Sequence, residues 1–443
     1  MNMKKNTLLA YTWPIFLEYI MQLLVTNIDK IMVNTMSETA VSSISNATTV
    51  LDVLLITFSV ISLAITIIAA QYLGKGEKEE VSKVYSLGLV VISAISIVLT
   101  IVLLIFGRSI FIAIQVPPEC LEDSVIYLNI IAIGLLFQGL YAGLVAIFRS
   151  QGWMKRALYV STFINVANII GNYILIYGFG PIPALGVAGA AISSLIARIL
   201  GFVALYVIFK RNSSIPLNFK ALRVWPTELM KRMLYIGLPS GGESISYNAS
   251  QMIILMFINT FGNAVVKLRS FACMFQMCSY MYASSISTAA QVVVSNIMGK
   301  GDLDGAEKEV KHCLKIAISI SALTSLALFI FSDQVYGLFI SDPELLHTAK
   351  ILMGIGIILE ISRAVNMTLV RCLQAAGDTI YPMTVGIIFM WGCATFLSWL
   401  LGVVFNMGIV GVWIAMCLDE TIRAFLFMAR FKKGKWRENK VMQ

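Results

Sequence analysis

Gly74-Lys75-Gly76-Glu77 and Gly299-Lys300-Gly301-Asp302 are one short phrase, glycine-lysine-glycine-acid, written twice in a chain of 443 residues and set 225 residues apart. The same offset pairs Pro14 with Pro239, Glu18 with Glu243, Phe106 with Phe331, Pro118-Glu119 with Pro343-Glu344, Leu121 with Leu346 and Gly152 with Gly377. No gap is needed between these marks. An apolar composition repeats leucines by accident, but not prolines, glycines and acids in one register, so the chain consists of two homologous halves. Locally the phrase reads as a tight turn, in which glycine supplies backbone freedom and the charged residues face water.

Apolar residues make up 58% of the chain and charged residues 13%, against about a quarter charged in soluble domains. This is the composition of a membrane protein. A helical span needs about 20 predominantly apolar residues, and such runs lie near 10–33, 48–73, 84–106, 123–148, 157–178, 187–209, 230–258, 270–297, 310–331, 346–371, 381–404 and 409–429. Their length excludes barrel strands, which need only about ten alternating residues. The expected fold is an all-α polytopic membrane protein with twelve transmembrane helices in two six-helix repeats. Because six is even, both repeats enter the membrane from the same side, and a pseudo-two-fold axis along the membrane normal relates them. The basic stretch near 210–230, with Pro216 and Pro226, divides an N lobe (1–215) from a C lobe (216–443). Glu18, Gln22, Asn27, Asp29 and Lys30 interrupt the first apolar run and no small-residue cleavage site follows it, so it reads as a retained span and not a signal peptide.

Basic residues occupy alternate connections: Lys4 and Lys5; Lys75, Lys78 and Lys83; Arg149, Lys155 and Arg156; Lys210 to Arg232; Lys300 to Lys315; and Arg430 to Lys440. Opposite connections hold little more than Arg108, Lys267 and Arg269. Both termini are therefore expected on the cytoplasmic side of a multi-pass protein of the cell membrane. The formal charge of +9 comes from these loops, which build no contiguous basic face with interleaved aromatics, so nucleic acid is not an expected partner. Seven cysteines without metal-ligand spacing and two histidines give no sign of a metal centre or disulfide framework. No nucleotide-binding motif is present, no cofactor is expected, and the chain does not read as an enzyme. Uphill transport would draw on an ion gradient, with two bundles rocking about a central cavity.

The assembled residues resemble the multidrug and toxic compound extrusion (MATE) family. The resemblance rests on Pro14, on Asp29-Lys30-Ile31-Met32-Val33, on the turn Gly74 to Glu77, and on Asn165, Asn168 and Asn172-Tyr173 followed by Gly178, Pro183, Gly186 and Gly189-Ala190-Ala191. The second half adds Gly237-Leu238-Pro239, Ala290-Gln291-Val292, Leu373 to Thr379, Pro382, Gly411 to Ala415 and Arg423. It covers nearly the whole chain. What the resemblance implies is export of small organic, often cationic and amphipathic, compounds in exchange for Na+ or H+, through an N lobe and a C lobe of a monomer in the lipid bilayer.

Asp29 is the first site candidate, because a carboxylate within a span is costly unless it faces a cavity and binds something. By resemblance it matches the family's N-lobe coupling acid; an ion pair with the adjacent Lys30 is the plainer alternative. Asn168 and Asn172 lie four apart on one helix face, and Ser194 keeps a hydroxyl where one branch of the family has threonine. Asp29, Asn168, Asn172 and Ser194 form a mixed oxygen set that Na+ would accept, whereas H+ needs Asp29 alone. Interhelical hydrogen bonding is the alternative for the asparagines. Glu18 and Glu243 occupy equivalent places in the two repeats and would make a cavity anionic and attractive to cations, or else pair locally. Glu360, Arg363 and Asn366 share a face at three-residue spacing, and Glu360 with Arg363 would form a salt bridge that opens during transport or serves packing alone. By resemblance, relatives with a C-lobe sodium site carry acids nearer Tyr247 and Arg363, a departure that tells against that site here. Glu18, Glu243, Glu360, Arg363 and Tyr247 are thus candidates for substrate-cavity or gating roles. The alternative to an exporter is a flippase for lipid-linked precursors, which would need a basic cavity built on residues such as Arg198 and Arg363. A non-transporting scaffold would need no buried acids.

Overall fold

The computed structural model describes residues 7–438; Lys4, Lys5 and Lys440, used above for orientation, lie outside the described residues, as do both chain ends. The chain folds into long helices: α1 (Thr7–Asn34), α2 (Glu38–Lys75), α3 (Lys78–Ala113), α4 (Pro118–Ser150), α5 (Met154–Tyr177), α6 (Gly186–Asn212), α7 (Thr227–Asn259), α8 (Asn263–Gly299), α9 (Leu303–Ile330), α10 (Pro343–Ala375), α11 (Ile380–Val404) and α12 (Gly408–Lys432). These are the twelve expected spans, six to a repeat. Both α3 and α9 begin, and both α4 and α10 begin and end, at positions 225 residues apart. Left-handed glycines keep the same register: Gly76 at φ +85° with Gly301 at +78°, and Gly152 at +75° with Gly377 at +83°. The doubled phrase is thus a helix-ending turn, where a side chain would clash in the left-handed conformation and glycine does not.

Among the described residues nine helices are long and apolar enough to cross a membrane by composition alone, and α7, α8 and α12 fall short. Their shortfall has a cause. These helices carry Ser240, Glu243, Ser244 and Asn248, then Gln276 and Ser279, then Asp419, Glu420 and Arg423, and polar groups at membrane depth are tolerated when they face protein or a cavity. Helices also run past their apolar cores. α2 begins at Glu38, ten residues before its apolar run, because Ser37 Oγ accepts the Ala40 N–H at 3.0 Å and caps the end. α8 begins at Asn263, so Lys267 and Arg269 stand on its opening turns and not in a connection. Hydropathy marks only the stretch in hydrocarbon, whereas helical hydrogen bonding continues to the cap.

The helices form two compact units. One runs from Leu17 to Gly237; the other combines the start of α1, through Phe16, with Leu238 onward. Both division points lie beside a proline inside a helix, Pro14 in α1 and Pro239 in α7, where the missing N–H and the ring weaken the helix. In the first unit α4 packs on α2, α3 and α6; in the second α10 packs on α8, α9 and α12. A matching bond crosses each: Thr66 Oγ1 donates to Ala146 O at 3.4 Å, and Gln291 Nε2 donates to Arg371 O at 3.5 Å, the same places of the repeat. The segment after α6 is pinned to α3, with Ser82 Oγ donating to Pro216 O at 2.5 Å and the Asn218 N–H donating to Ser86 Oγ at 2.8 Å.

α5 and α6 are drawn together at Gly189, where a Cβ would stand 2.3 Å from the Leu175 carbonyl oxygen. Backbone cannot yield there as a side chain can. Gly189→Val should destabilise the first unit by about 1–3 kcal/mol through forced separation of the two helices, read as a lower unfolding midpoint in detergent. An unchanged midpoint would show that this contact does not set the helix spacing.

Candidate functional site

In the first unit the C-terminal end of α1 is tied to α5. Tyr177 Oη donates to Met32 O at 2.8 Å and shares a 2.5 Å hydrogen bond with Thr35 Oγ1. One turn before this clasp, Asp29 Oδ1 accepts from Asn172 Nδ2 at 2.7 Å. Among the described residues Asp29 forms no ion pair, with Lys30 or any other cation, and Lys30 points outward. The neighbouring-charge alternative therefore does not describe this carboxylate. Asn172 is 2% exposed, and its Oδ1 has no hydrogen-bond donor. Asn168 Nδ2 reaches Ser193 Oγ at 3.3 Å and Ser194 Oγ at 3.4 Å, while Ser193 Oγ donates to Asn168 O at 2.9 Å. Gly171 permits this, since a Cβ there would stand 2.5 Å from Ser193 Oγ. The four predicted residues fall into two bonded pairs on α1, α5 and α6, Asp29 with Asn172 and Asn168 with Ser194. Ser193 was missed, although it neighbours Ser194, because nothing in spacing distinguishes which of two serines meets α5.

The repeat-related acids have different surroundings. Glu18 Oε2 lies 3.2 Å from Arg149 Nη2, both largely buried. The position 225 residues beyond Arg149 is Gln374, and Gln374 Oε1 accepts from Gln291 Nε2 at 3.3 Å. Glu243 accordingly has no ion pair among the described residues. The first unit closes its acid; the second leaves the equivalent one open.

Glu243 lines a cavity of about 390 Å³ in the second unit, with Ser240, Tyr247 and Asn248 from α7, Tyr280 from α8, and Arg363, Asn366, Arg371 and Gln374 from α10, among others. The α10 residues share a face at helical spacing. Glu420 and Arg423 of α12 complete the polar wall. Glu360 is 2% exposed and donates nothing to the lining; it accepts from Arg363 Nη1 one turn on. Arg363 Nε lies 3.6 Å from Glu420 Oε1, Arg423 Nη2 lies 3.1 Å from the same oxygen and 2.5 Å from Asp419 Oδ2, and Asn366 Nδ2 donates to Glu420 Oε2 at 2.6 Å. Two arginines and three carboxylates thus form one buried network. The wall of this cavity is mixed in sign, with Glu243 and Glu420 against Arg363, Arg371 and Arg423. Arg371 was missed by sequence reading, although laying the 225-residue register on Arg149 would have exposed the change at Gln374.

α11 contributes Met390 to the same wall. Its backbone takes wide π turns over Met390–Thr395 and Ser398–Val404. Thr395 Oγ1 donates to Met390 O at 2.9 Å, Ser250 Oγ joins Thr395 Oγ1 at 2.7 Å, and Trp391 Nε1 donates to Ser246 Oγ at 2.9 Å. Ser250 Oγ also donates to Met390 O at 3.3 Å, so a side chain from α7 helps to satisfy the backbone of the π segment.

A doubled bundle of twelve membrane-crossing helices, with polar groups turned inward in each half, defines a multi-pass membrane transporter. The MatE family model matches residues 14–174 and 239–400, two stretches that begin at the repeat-related prolines. The chain belongs to the multidrug and toxic compound extrusion family. It is 31% identical to the "Uncharacterized transporter YisQ" of Bacillus subtilis, covering 98% of this chain and 95% of that protein. It is 23% identical to the "Probable multidrug resistance protein NorM" of Thermotoga maritima, over 99% and 94% of the two chains. Its fold matches a MATE crystal structure in a bent conformation with TM-score 0.89 at 18% identity, covering 98% of this chain and 96% of that one. A MOP superfamily transporter from Pyrococcus furiosus, described as having a binding pocket of reversed polarity, matches with TM-score 0.88 at 18% identity over 98% and 97%.

Proposed function

We propose that this protein is a secondary active antiporter that exports small organic, cationic amphipathic compounds in exchange for H+ or Na+ by alternating access, working as a monomer with residues 1–215 and 216–443 as its two lobes and both termini in the cytoplasm. The observation that carries the reading is the Asp29 carboxylate, set inside the first unit without a cationic partner and bonded to Asn172. A carboxylate so placed needs a proton or a cation to offset its desolvation. The open Asn172 Oδ1 offers a second oxygen to a hard cation, with the Asn168 and Ser194 oxygens nearby on α5 and α6 as further candidates. Multidrug resistance is what the NorM relatives are named for, and a comparable breadth of substrate belongs to this antiporter. The cavity of the second unit, with Glu243, Arg363 and Tyr247 on its wall, is assigned to substrate, and the Glu18–Arg149 and Glu360–Arg363 bridges to gating.

A flippase for lipid-linked precursors draws support from the three arginines of that cavity. Arg363 and Arg423 are held by carboxylates, however, which leaves one uncommitted guanidinium where a pyrophosphate calls for several charge-assisted donors. The deciding experiment is transport in proteoliposomes with sodium and proton gradients imposed separately, scanning organic cations and anions. Uptake of an organic cation driven by either gradient is expected; flux indifferent to both gradients would remove the antiport reading.

A further inference from the structure

We propose that the cavity of the second unit binds a small amphoteric organic molecule, holding its ammonium group on Glu243 and its carboxylate on Arg371. The inference rests on the transporter reading above and narrows it: of the organic cations proposed there, this site favours those that also carry a carboxylate. Five charged side chains reach the wall: Glu243, Glu420, Arg363, Arg371 and Arg423. Three are committed, Arg363 to Glu360 and Glu420, and Arg423 to Asp419 and Glu420. Glu243 and Arg371 form no ion pair among the described residues, and they have opposite signs.

The repeat explains why they stay apart. In the first unit the acid at this place meets Arg149 on α4. In the second unit that place holds Gln374, fixed by Gln291, and the guanidinium stands three residues earlier, where the first unit has Ala146. Three residues are about 4.5 Å along a helix. The charge pair has been opened within a cavity of about 390 Å³, a volume suited to a small organic molecule. A ligand with only an ammonium group would leave Arg371 desolvated without a counter-charge, and a simple carboxylate would do the same to Glu243. An amphoteric ligand satisfies both, whereas covering either charge without a partner is costly. The rings of Tyr247 and Tyr280, with Met367, Val370 and Met390, supply apolar surface for the body of such a molecule.

The test is equilibrium binding to the purified full-length protein of three matched radiolabelled probes: 4-(aminomethyl)benzoate, its methyl ester, and 4-methylbenzoate. The amphoteric probe should bind at least about tenfold more tightly than the other two, since a hydrogen bond to a charged group is worth about 1.5–3 kcal/mol. Glu243→Gln should lose about tenfold for the amphoteric probe and the ester while sparing 4-methylbenzoate. Arg371→Gln should lose the same for the amphoteric probe and 4-methylbenzoate while sparing the ester, and Arg371→Lys should restore most of it. Gln374→Arg rebuilds the pair seen in the first unit and should mimic Glu243→Gln, a result that general unfolding would not produce. Equal affinity for ester and amphoteric probe, indifference of the amphoteric probe to Arg371→Gln, or no binding of any probe overturns the proposal. Gradient-driven flux separates the two readings: a native binding pattern without coupled flux removes the antiport reading alone, whereas coupled flux without the charge selectivity removes this one alone.

Discussion

Asp29→Asn should reduce gradient-driven efflux by at least about tenfold, the loss expected when a charge-assisted contact worth about 1.5–3 kcal/mol to the coupling ion is removed. The substitution keeps shape and an oxygen that can still accept from Asn172 Nδ2, now 2.7 Å from Asp29 Oδ1, so the α1–α5 contact should persist and folding should not be the cause. Substrate binding without a gradient should remain within a few-fold of native, because Asp29 and the cavity proposed for substrate lie in different units. Lys30→Gln is the control: Lys30 is exposed and forms no ion pair with its neighbour, so it should leave coupled flux nearly unchanged. Full coupling in Asp29→Asn proteoliposomes would remove Asp29 from the mechanism.

Arg423→Met should lower stability by about 3–5 kcal/mol, the usual consequence of removing one partner from a buried ion network. Asp419, Glu420 and Arg423 are 3%, 8% and 6% exposed. Arg423 is the cation bonded to Asp419, whereas Glu420 retains Arg363 and Asn366. The loss should therefore trace mainly to Asp419, and the double variant Asp419→Asn with Arg423→Met should recover a substantial part of it. Unfolding in mixed micelles with increasing denaturing detergent gives the comparison. A drop below about 1 kcal/mol in the single variant would mean that the network contributes no more than an exposed pair does.

Much of the architecture was legible without coordinates because membrane insertion is a local constraint. Each span must be apolar for about 20 residues, and each turn must end one helix and start another, so residues such as Gly76 and Gly301 announce themselves. The helix ends were less legible, as at α2, where Ser37 caps a helix well outside the apolar run. The candidate site was legible in its residues and not in its pairings. Asp29 stood out because a carboxylate in a span requires an explanation. That Glu18 is closed by Arg149 while Glu243 is open was not visible, since the partners stand 131 residues apart in sequence.

The sequence by itself determined the doubling, the number of spans and the identity of the acids that need a partner. These follow from composition, register and the price of charge in hydrocarbon, all of which act within a single helix or its repeat. Only the tertiary structure decided which charges neutralise one another. A side chain on α1, α7 or α10 finds its partner according to which helix faces meet, and a shift of one turn, from the place of Arg149 to that of Arg371, separates a closed bridge from an open pair of opposite charges.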